Sequence, residues 1–251
     1  MKVSGSLVLH KRFTVTTADA DCFGRLRPGA LINFMLQAAV SSADELGFGL
    51  AYLKENKLFW VLSRLSLEVY DVINWQDELE VLTWPRDTDR LYYLRDFVVQ
   101  RPDGFKVAAA TSAWLALDNN SKRPVQLDSG KNEVFTRLKN KSCGINDLPK
   151  LQTEAKVPDF SVPIVPLFSE FDLNGHVTTT RYIDWAMDTF SFRHHKQNYL
   201  SSVDVNFLKE VLPDETLTLQ RFKKENGFLF WGILNKSNRP AYALKAGFKG
   251  L

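Results

Sequence analysis

The clearest pattern along the chain is strict alternation at Leu65, Leu67 and Val69, with Arg64, Ser66 and Glu68 between them. A period of two predicts a strand with one apolar face. The second half repeats the pattern at Val203, Val205 and Phe207, alternating with Asp204, Asn206 and Leu208. Ahead of each strand, apolar residues recur at helical spacing. They are Leu31, Phe34, Met35 and Ala38 in the first half, and Ile183, Ala186, Met187 and Phe190 in the second. Pro28 stands near the first helix start, where a missing N–H costs nothing. After each strand an Asp-Glu step, Asp77-Glu78 or Asp214-Glu215, leads into another. Pro102-Asp103-Gly104 and Glu225-Asn226-Gly227 then supply hairpin turns, with Asn-Gly the stronger signal.

Each half therefore reads as a strand, a long helix and about four antiparallel strands. A short motif precedes each helix. Asp21-Cys22-Phe23-Gly24-Arg25-Leu26 and Asp172-Leu173-Asn174-Gly175-His176-Val177 share the form D-x-x-G-(R/H)-(L/V), and with the matching order of elements this predicts a duplication. Between the halves, Asn119 to Pro158 lacks sustained periodicity, and a short helix is expected near Lys131 to Lys141. So long a connection is unusual within one domain. The expected division is 1–125, a linker at 126–158, and 159–251. One long helix wrapped by an antiparallel sheet is the hot-dog arrangement. The fold class expected is α+β, a tandem double hot-dog, in which the second copy supplies the pairing partner within one chain.

Composition narrows the function. A net charge of +3 over 251 residues excludes a dedicated nucleic-acid binder, which concentrates basic charge far more strongly. Cys22 and Cys143 stand far apart without partner spacing, which fits a reducing compartment. No apolar run reaches the ~18 residues that span a bilayer. The opening residues, Met1 to Ser6, show neither a signal-peptide apolar region nor a transit-peptide composition, and lead into a strand pattern. The cytoplasm is the expected compartment.

Phosphate-loop, dinucleotide-turn, nucleophile-elbow and H-E-x-x-H motifs are absent. His194-His195 are adjacent, so on a helix they point about 100° apart and cannot share a metal well; a solvated helix end is expected. Cys22 and Cys143 read as ordinary loop positions. What remains is Asp172, Asn174 and His176 opening a helix, with Glu210 near the end of a following strand. Helix-start N–H groups can hold a developing oxyanion. An imidazole and a carboxylate there can deprotonate water. The competing reading is that Asp172 or Asn174 caps the helix. A cap needs only the Asp, which both copies keep. Phe23 stands for Asn174, Arg25 for His176 and, counting back four from each Asp-Glu step, Ile73 for Glu210. The additional polar groups occur in the second copy alone, as expected for one working site and one scaffold.

These segments resemble the acyl-acyl carrier protein thioesterase family. So do Tyr182 with Trp185, Phe59-Trp60-Val61-Leu62-Ser63-Arg64, the run Asp77 to Pro85, Ala110-Thr111-Ser112-Ala113-Trp114 and Phe207-Leu208-Lys209-Glu210. The resemblance implies hydrolysis of fatty acyl thioesters at Asp172, Asn174, His176 and Glu210, with no metal or organic cofactor. Many members carry a Cys after the Glu; here Val211 stands, which excludes a thiol mechanism. Where the family often shows Asn-Asn, this chain has Thr178-Thr179, and Thr178 can still hydrogen-bond a substrate. Leu31, Phe34, Met35 and Ala38 are expected to line or support the acyl tunnel. An acidic carrier protein is the expected partner, met by some of Lys11-Arg12, Arg25/Arg27, Lys122-Arg123, Lys139/Lys141 and Lys223-Lys224. Neither nucleic acid nor a membrane span is expected, and a homodimer stays open. The alternatives are an acyl-CoA thioesterase, an enoyl-thioester hydratase and a non-catalytic acyl-binding protein. Hydratases place two residues between Asn and His, where this chain has only Gly175.

Overall fold

Alternation at Leu65, Leu67 and Val69 is realised in a twelve-residue strand, Leu58–Val69, with all three side chains buried. A computed structural model describes residues 6–152 and 157–251. The opening residues 1–5, read above as a lead into a strand, and linker residues 153–156 lie outside the described residues. The chain divides into two compact units, Met1–Leu26 with Leu31–Leu148, and Arg27–Ala30 with Pro149–Leu251.

The first unit holds β1 (Leu9–Thr14), α1 (Pro28–Glu45) from Leu31 onward, α2 (Leu50–Glu55), β2 (Leu58–Val69), β3 (Glu78–Asp89), β4 (Tyr92–Gln100), β5 (Lys106–Asp118), β6 (Pro124–Val125) and α3 (Ser129–Thr136). Its strands pair antiparallel in the order β1-β3-β4-β5-β2, with β6 on β5. Val107, Ala108, Ala109 and Ala110 on β5 are all fully buried, the signature of a strand covered on both faces. On one face, Phe34 of α1 stacks on Phe13 of β1 at 4.5 Å, and Ala43 and Leu46 join Tyr93, Val134 and Phe135 in one apolar cluster. On the other, Trp84 and Ala109 pack with Cys143 and Ile145.

The stretch read as a linker is thus tied to the first unit as far as Leu148. Its backbone carbonyls need donors because no ladder supplies them. Arg86 reaches the Ile145 carbonyl, Arg64 the Leu148 carbonyl and Lys106 the Cys143 carbonyl. The short helix expected near Lys131 to Lys141 lies earlier, at Ser129–Thr136, because the Asp128 carboxylate caps it by accepting from the Lys131 N–H. Cys143 is no ordinary loop residue: burial and the nearby Asp96 push its thiol up to about 11. Native protein is expected to react with a neutral-pH thiol reagent at exposed Cys22, and at Cys143 only on unfolding. Equal labelling rates of the two thiols would contradict this.

The second unit holds β7 (Phe160–Ile164), α4 (Arg181–Asp188), α5 (Phe192–Gln197), β8 (Asn198–Phe207), β9 (Leu217–Lys224), β10 (Gly227–Leu234) and β11 (Arg239–Gly250). Its antiparallel order, β7-β9-β10-β11-β8, repeats that of the first unit strand for strand. The duplication read from the short motifs is therefore a duplication of topology.

Its expected long helix is broken instead. Ile183, Ala186 and Met187 are buried on α4, but Phe190 falls in the break. The Ser191 hydroxyl restarts the helix by accepting from the His194 N–H. The Phe190 ring lies against Phe228, Phe230 and Phe248, and the Arg221 guanidinium sits 4.8 Å from its centroid. His194-His195 are likewise no solvated end. His194 stacks on Phe190, its pKa lowered by burial, and His195 Nε2 lies 3.0 Å from the Met187 carbonyl. The Asn-Gly hairpin also differs in detail. Glu225 and Asn226 form the two-residue loop, and Gly227 opens β10 with φ +117°. A Cβ there would meet the Ala246 carbonyl oxygen at 2.2 Å, so the position requires glycine.

Candidate active site

The segment Phe171–Val177 closes on itself as a tight loop. Phe171 and Val177 form an antiparallel bridge, Asp172 N–H donates to the His176 carbonyl, and Gly175 N–H donates to the Asp172 carbonyl. Gly175 adopts φ +73°, a left-handed value that a residue without Cβ takes at little cost. Asp172 Oδ1 accepts from the Asn174 N–H at 2.8 Å and the His176 N–H at 3.2 Å. Asp172 therefore caps this loop and not a helix; α4 begins only at Arg181.

The first unit builds the same loop from its own copy. Asp21 Oδ1 accepts from the Phe23 and Arg25 N–H groups, Gly24 has φ +74°, and Ala20 bridges Leu26. The loops differ in what they present. Arg25 turns back to its own Asp21 at 3.1 Å and lies over the Phe23 ring. His176 instead reaches outside its loop, with Nε2 3.2 Å from Glu210 Oε2.

Glu210 follows the end of β8 and is placed by its neighbour. Val211 is fully buried, and its carbonyl accepts from the Val177 N–H. In the first unit the equivalent bond runs from Leu26 N–H to the Ile73 carbonyl. That equivalence matches Ile73 with Val211, so the counterpart of Glu210 is Val72, one residue from where the ungapped count placed it. The position is apolar either way.

Of the four residues expected to form a site, His176 and Glu210 touch, and Asp172 holds the loop that carries His176. Asn174 is exposed, and its side-chain amide makes no hydrogen bond among the described residues. Thr178 is partly buried, and its N–H donates to the Glu170 carbonyl. The N–H groups of Asn174 through Thr178 are all taken, by Asp172, Val211 and Glu170. They are not the oxyanion donors expected at a helix start.

Two supporting residues carried no role in the sequence reading. Glu170 accepts from Trp185 Nε1 at 2.9 Å and from the Leu167 N–H at 2.8 Å, which ties the loop to α4. No capping-box signal marks it, since Leu167 stands where Ser or Thr would. Tyr182 packs against Trp185, Phe207 and Tyr242, and burial raises the pKa of its hydroxyl. Leu31, Phe34, Met35 and Ala38 are all buried on α1 in the first unit.

Family models match both halves: an acyl-ACP thioesterase N-terminal domain over residues 6–134 and an acyl-ACP thioesterase C-terminal domain over 153–240. The chain belongs to the acyl-ACP thioesterase family. Among curated family members, it is 22% identical over 230 residues to oleoyl-acyl carrier protein thioesterase 1, chloroplastic, of Arabidopsis thaliana, covering 84% of this chain and 62% of that one. It is 23% identical over 229 residues to the palmitoyl-acyl carrier protein thioesterase, chloroplastic, of Gossypium hirsutum, covering 86% and 55%. The chain thus spans little more than half the length of these curated relatives. Its fold matches a family structure, an acyl-ACP thioesterase from Bacteroides thetaiotaomicron, with TM-score 0.87 and 26% identity over 97% of this chain and 98% of that one. The 12:0-ACP thioesterase from Umbellularia californica has the same fold, with TM-score 0.83 and 18% identity over 98% and 99%. The tandem double hot-dog is the fold of this family member. Among the described residues no helix is long and apolar enough to cross a membrane.

Proposed function

We propose that this protein hydrolyses fatty acyl thioesters of acyl carrier protein, releasing the free fatty acid, at the loop that carries Asp172, Asn174 and His176 together with Glu210. One observation carries the reading. The same Asp-anchored loop occurs in both units, and in the second its basic side chain, His176, lies 3.2 Å from Glu210, a carboxylate of another segment. In the first, the Arg25 guanidinium pairs with the Asp21 of its own loop at 3.1 Å.

Buried Val211 follows Glu210 and offers no thiol, so the nucleophile of this reading is water, with attack by the Glu210 carboxylate through an acyl anhydride as the alternative. Glu210 takes the proton as the water adds to the thioester carbon, and His176 holds the water or polarises the carbonyl. The Asn174 amide, unpartnered in its loop, donates to the oxygen as it becomes anionic. The tetrahedral intermediate then expels the phosphopantetheine thiolate, which takes up a proton to give the free thiol. Asp172 is a positioning residue: two backbone donors occupy its Oδ1, so it fixes where His176 and Asn174 point. The buried stripe Leu31, Phe34, Met35 and Ala38 supports the acyl chain.

Hydrolysis measured across acyl-carrier-protein chain lengths, with CoA esters as controls, tests the reading. Release of free carrier thiol is expected, and CoA esters turned over as well as carrier esters would shift the assignment to a CoA hydrolase. Salt gives a second measure. Basic side chains that steer an acidic carrier act over ~10 Å at 0.1 M salt. The expected result is that kcat/KM for carrier substrates falls with salt much more than kcat does, and more than it falls for a short neutral thioester. Equal sensitivity for both substrates would remove the basic surface from carrier recruitment.

A further inference from the structure

A cavity of about 180 Å³ lies within the first unit, between Arg64, Arg86, Asp89 and Tyr92 of the sheet and Asn146 and Leu148 of the segment laid over it. Exposed Asp89 and Asn146 leave it open to solvent. Its volume is several times the ~30 Å³ share of one water and below the ~300 Å³ where sites for drug-sized ligands begin, so it suits a group of a few heavy atoms. Both arginines stand at irregularities of their strands. Arg86 is the extra residue of a bulge between Pro85 and Asp87, and Arg64 follows the extra residue Ser63 of β2. Bulges re-aim the side chains beside them.

The bonds these groups already make decide what they can still offer. Arg64 Nη1 donates to the Leu148 carbonyl at 3.2 Å, and its guanidinium lies 5.1 Å from the Tyr92 ring centroid. Arg86 Nη1 donates to the Ile145 carbonyl at 3.2 Å, with Nε 3.6 Å from Asp96. A guanidinium carries five N–H donors and no acceptor, so each arginine keeps donors in reserve. Tyr92 Oη accepts from Arg64 Nη2 at 3.5 Å, and Asn146 Oδ1 accepts from Ser142 Oγ at 3.1 Å. The phenol O–H and the amide NH₂ are thereby left to donate. The lining thus combines two permanent cations with two neutral donors. Its one carboxylate, Asp89, pairs with neither arginine among the described residues. Such a set fits an oxyanion, whose paired oxygens match guanidinium forks. We propose that Arg64, Arg86, Tyr92 and Asn146 form a binding site for phosphate or a phosphate monoester, which fastens the segment of Asn146 and Leu148 to the sheet. None of these residues belongs to the loop of Asp172, Asn174 and His176 or to the segment of Glu210, so the site does not rest on the hydrolase reading.

The test is titration calorimetry with inorganic phosphate at constant ionic strength, set against glycerol phosphate, dimethyl phosphate, acetate and a chloride control. Wild type is expected to bind one phosphate or monoester per chain. The diester and acetate should bind at least about tenfold more weakly, because each carries one charge where phosphate carries nearly two. Arg64→Met should weaken phosphate by about tenfold or more, the scale of one hydrogen bond to a charged group. Asp89→Asn should tighten it by about threefold, the effect of removing one like charge across a solvated cavity. A variant that had merely lost its fold could not bind more tightly, so Asp89→Asn decides the matter should Arg64→Met not fold. Phosphate should also slow tryptic cleavage after exposed Lys150 in wild type and not in Arg64→Met. A stronger response to the monoester identifies a phosphorylated metabolite, and a stronger response to inorganic phosphate identifies the free ion. No heat above the chloride control in wild type, acetate bound as tightly as phosphate, or one affinity shared by wild type and both variants would overturn the proposal.

Discussion

Replacing Glu210 by Gln, or His176 by Ala, is expected to lower kcat/KM for an acyl-carrier-protein thioester by about 10²–10⁴-fold, the usual contribution of a positioned acid or base. Neither change should alter the melting curve. The Glu210 and His176 side chains are 45% and 26% exposed, and the loop that carries them is held by backbone bonds and by Asp172. Substitutions at such positions ordinarily move stability by no more than about 0.5 kcal/mol. Gln preserves the shape of Glu210 and its hydrogen bond to the imidazole, so a loss there isolates proton transfer from positioning. The first unit supplies a control, because Arg25→Ala alters the equivalent loop and should leave the single-turnover rate largely intact. Near-wild-type turnover in Glu210→Gln, with the fold unchanged, would remove the proposed base. A collapse confined to Arg25→Ala would move the chemistry to the first unit.

The legible parts of this protein are those written in short periods. Alternation at Leu65, Leu67 and Val69 and at Val203 and Val205 marked true half-buried strands, because the strand period matches the sequence period whatever the surroundings. The Asp-x-x-Gly repeat marked true equivalent loops, because an Asp side chain and a left-handed glycine act within five residues. What failed was set by distant partners. Phe190 sits at helical spacing, yet aromatic rings from β10 and β11 capture it and the helix breaks. Helix-start donors looked available at His176 until the loop consumed them and the helix began at Arg181. Glu210 could be named but not matched, since its counterpart depends on a backbone bond between segments more than thirty residues apart. Arg95, buried on β4, gave no signal at all, because in a strand a buried arginine reads as one of the outward-facing polar positions.

Asp96→Ala is expected to be the most destabilising single change in the first unit. Asp96 is fully buried, with Oδ1 accepting from Thr111 Oγ1 at 2.8 Å and Oδ2 from the Cys143 N–H at 2.9 Å, and Arg86 Nε stands 3.6 Å away. Truncation strands a hydroxyl, a backbone donor and a guanidinium together in a closed core. Breaking such a set costs about 3–5 kcal/mol, and at about 2–4 °C per kcal/mol for a unit of this size the melting temperature should fall by about 10 °C. Asp96→Asn should fall between, since it keeps the volume but turns one acceptor into a donor that faces a donor. The carboxyl also gives wild type a pH signature. Burial raises its pKa despite the hydrogen bonds and Arg86 that pull it down. The folded form therefore holds its proton more tightly than the unfolded one, and the resulting stabilisation is full below the ordinary value near 4 and is lost as pH rises through the raised value. Asp96→Asn should lack that slope. The Cys143 thiol provides an independent readout, because its own N–H is one of the donors lost. In Asp96→Ala it should become reactive in the native state, whereas a melting point within about 2 °C of wild type with Cys143 still protected would show that Asp96 does not hold this segment in place.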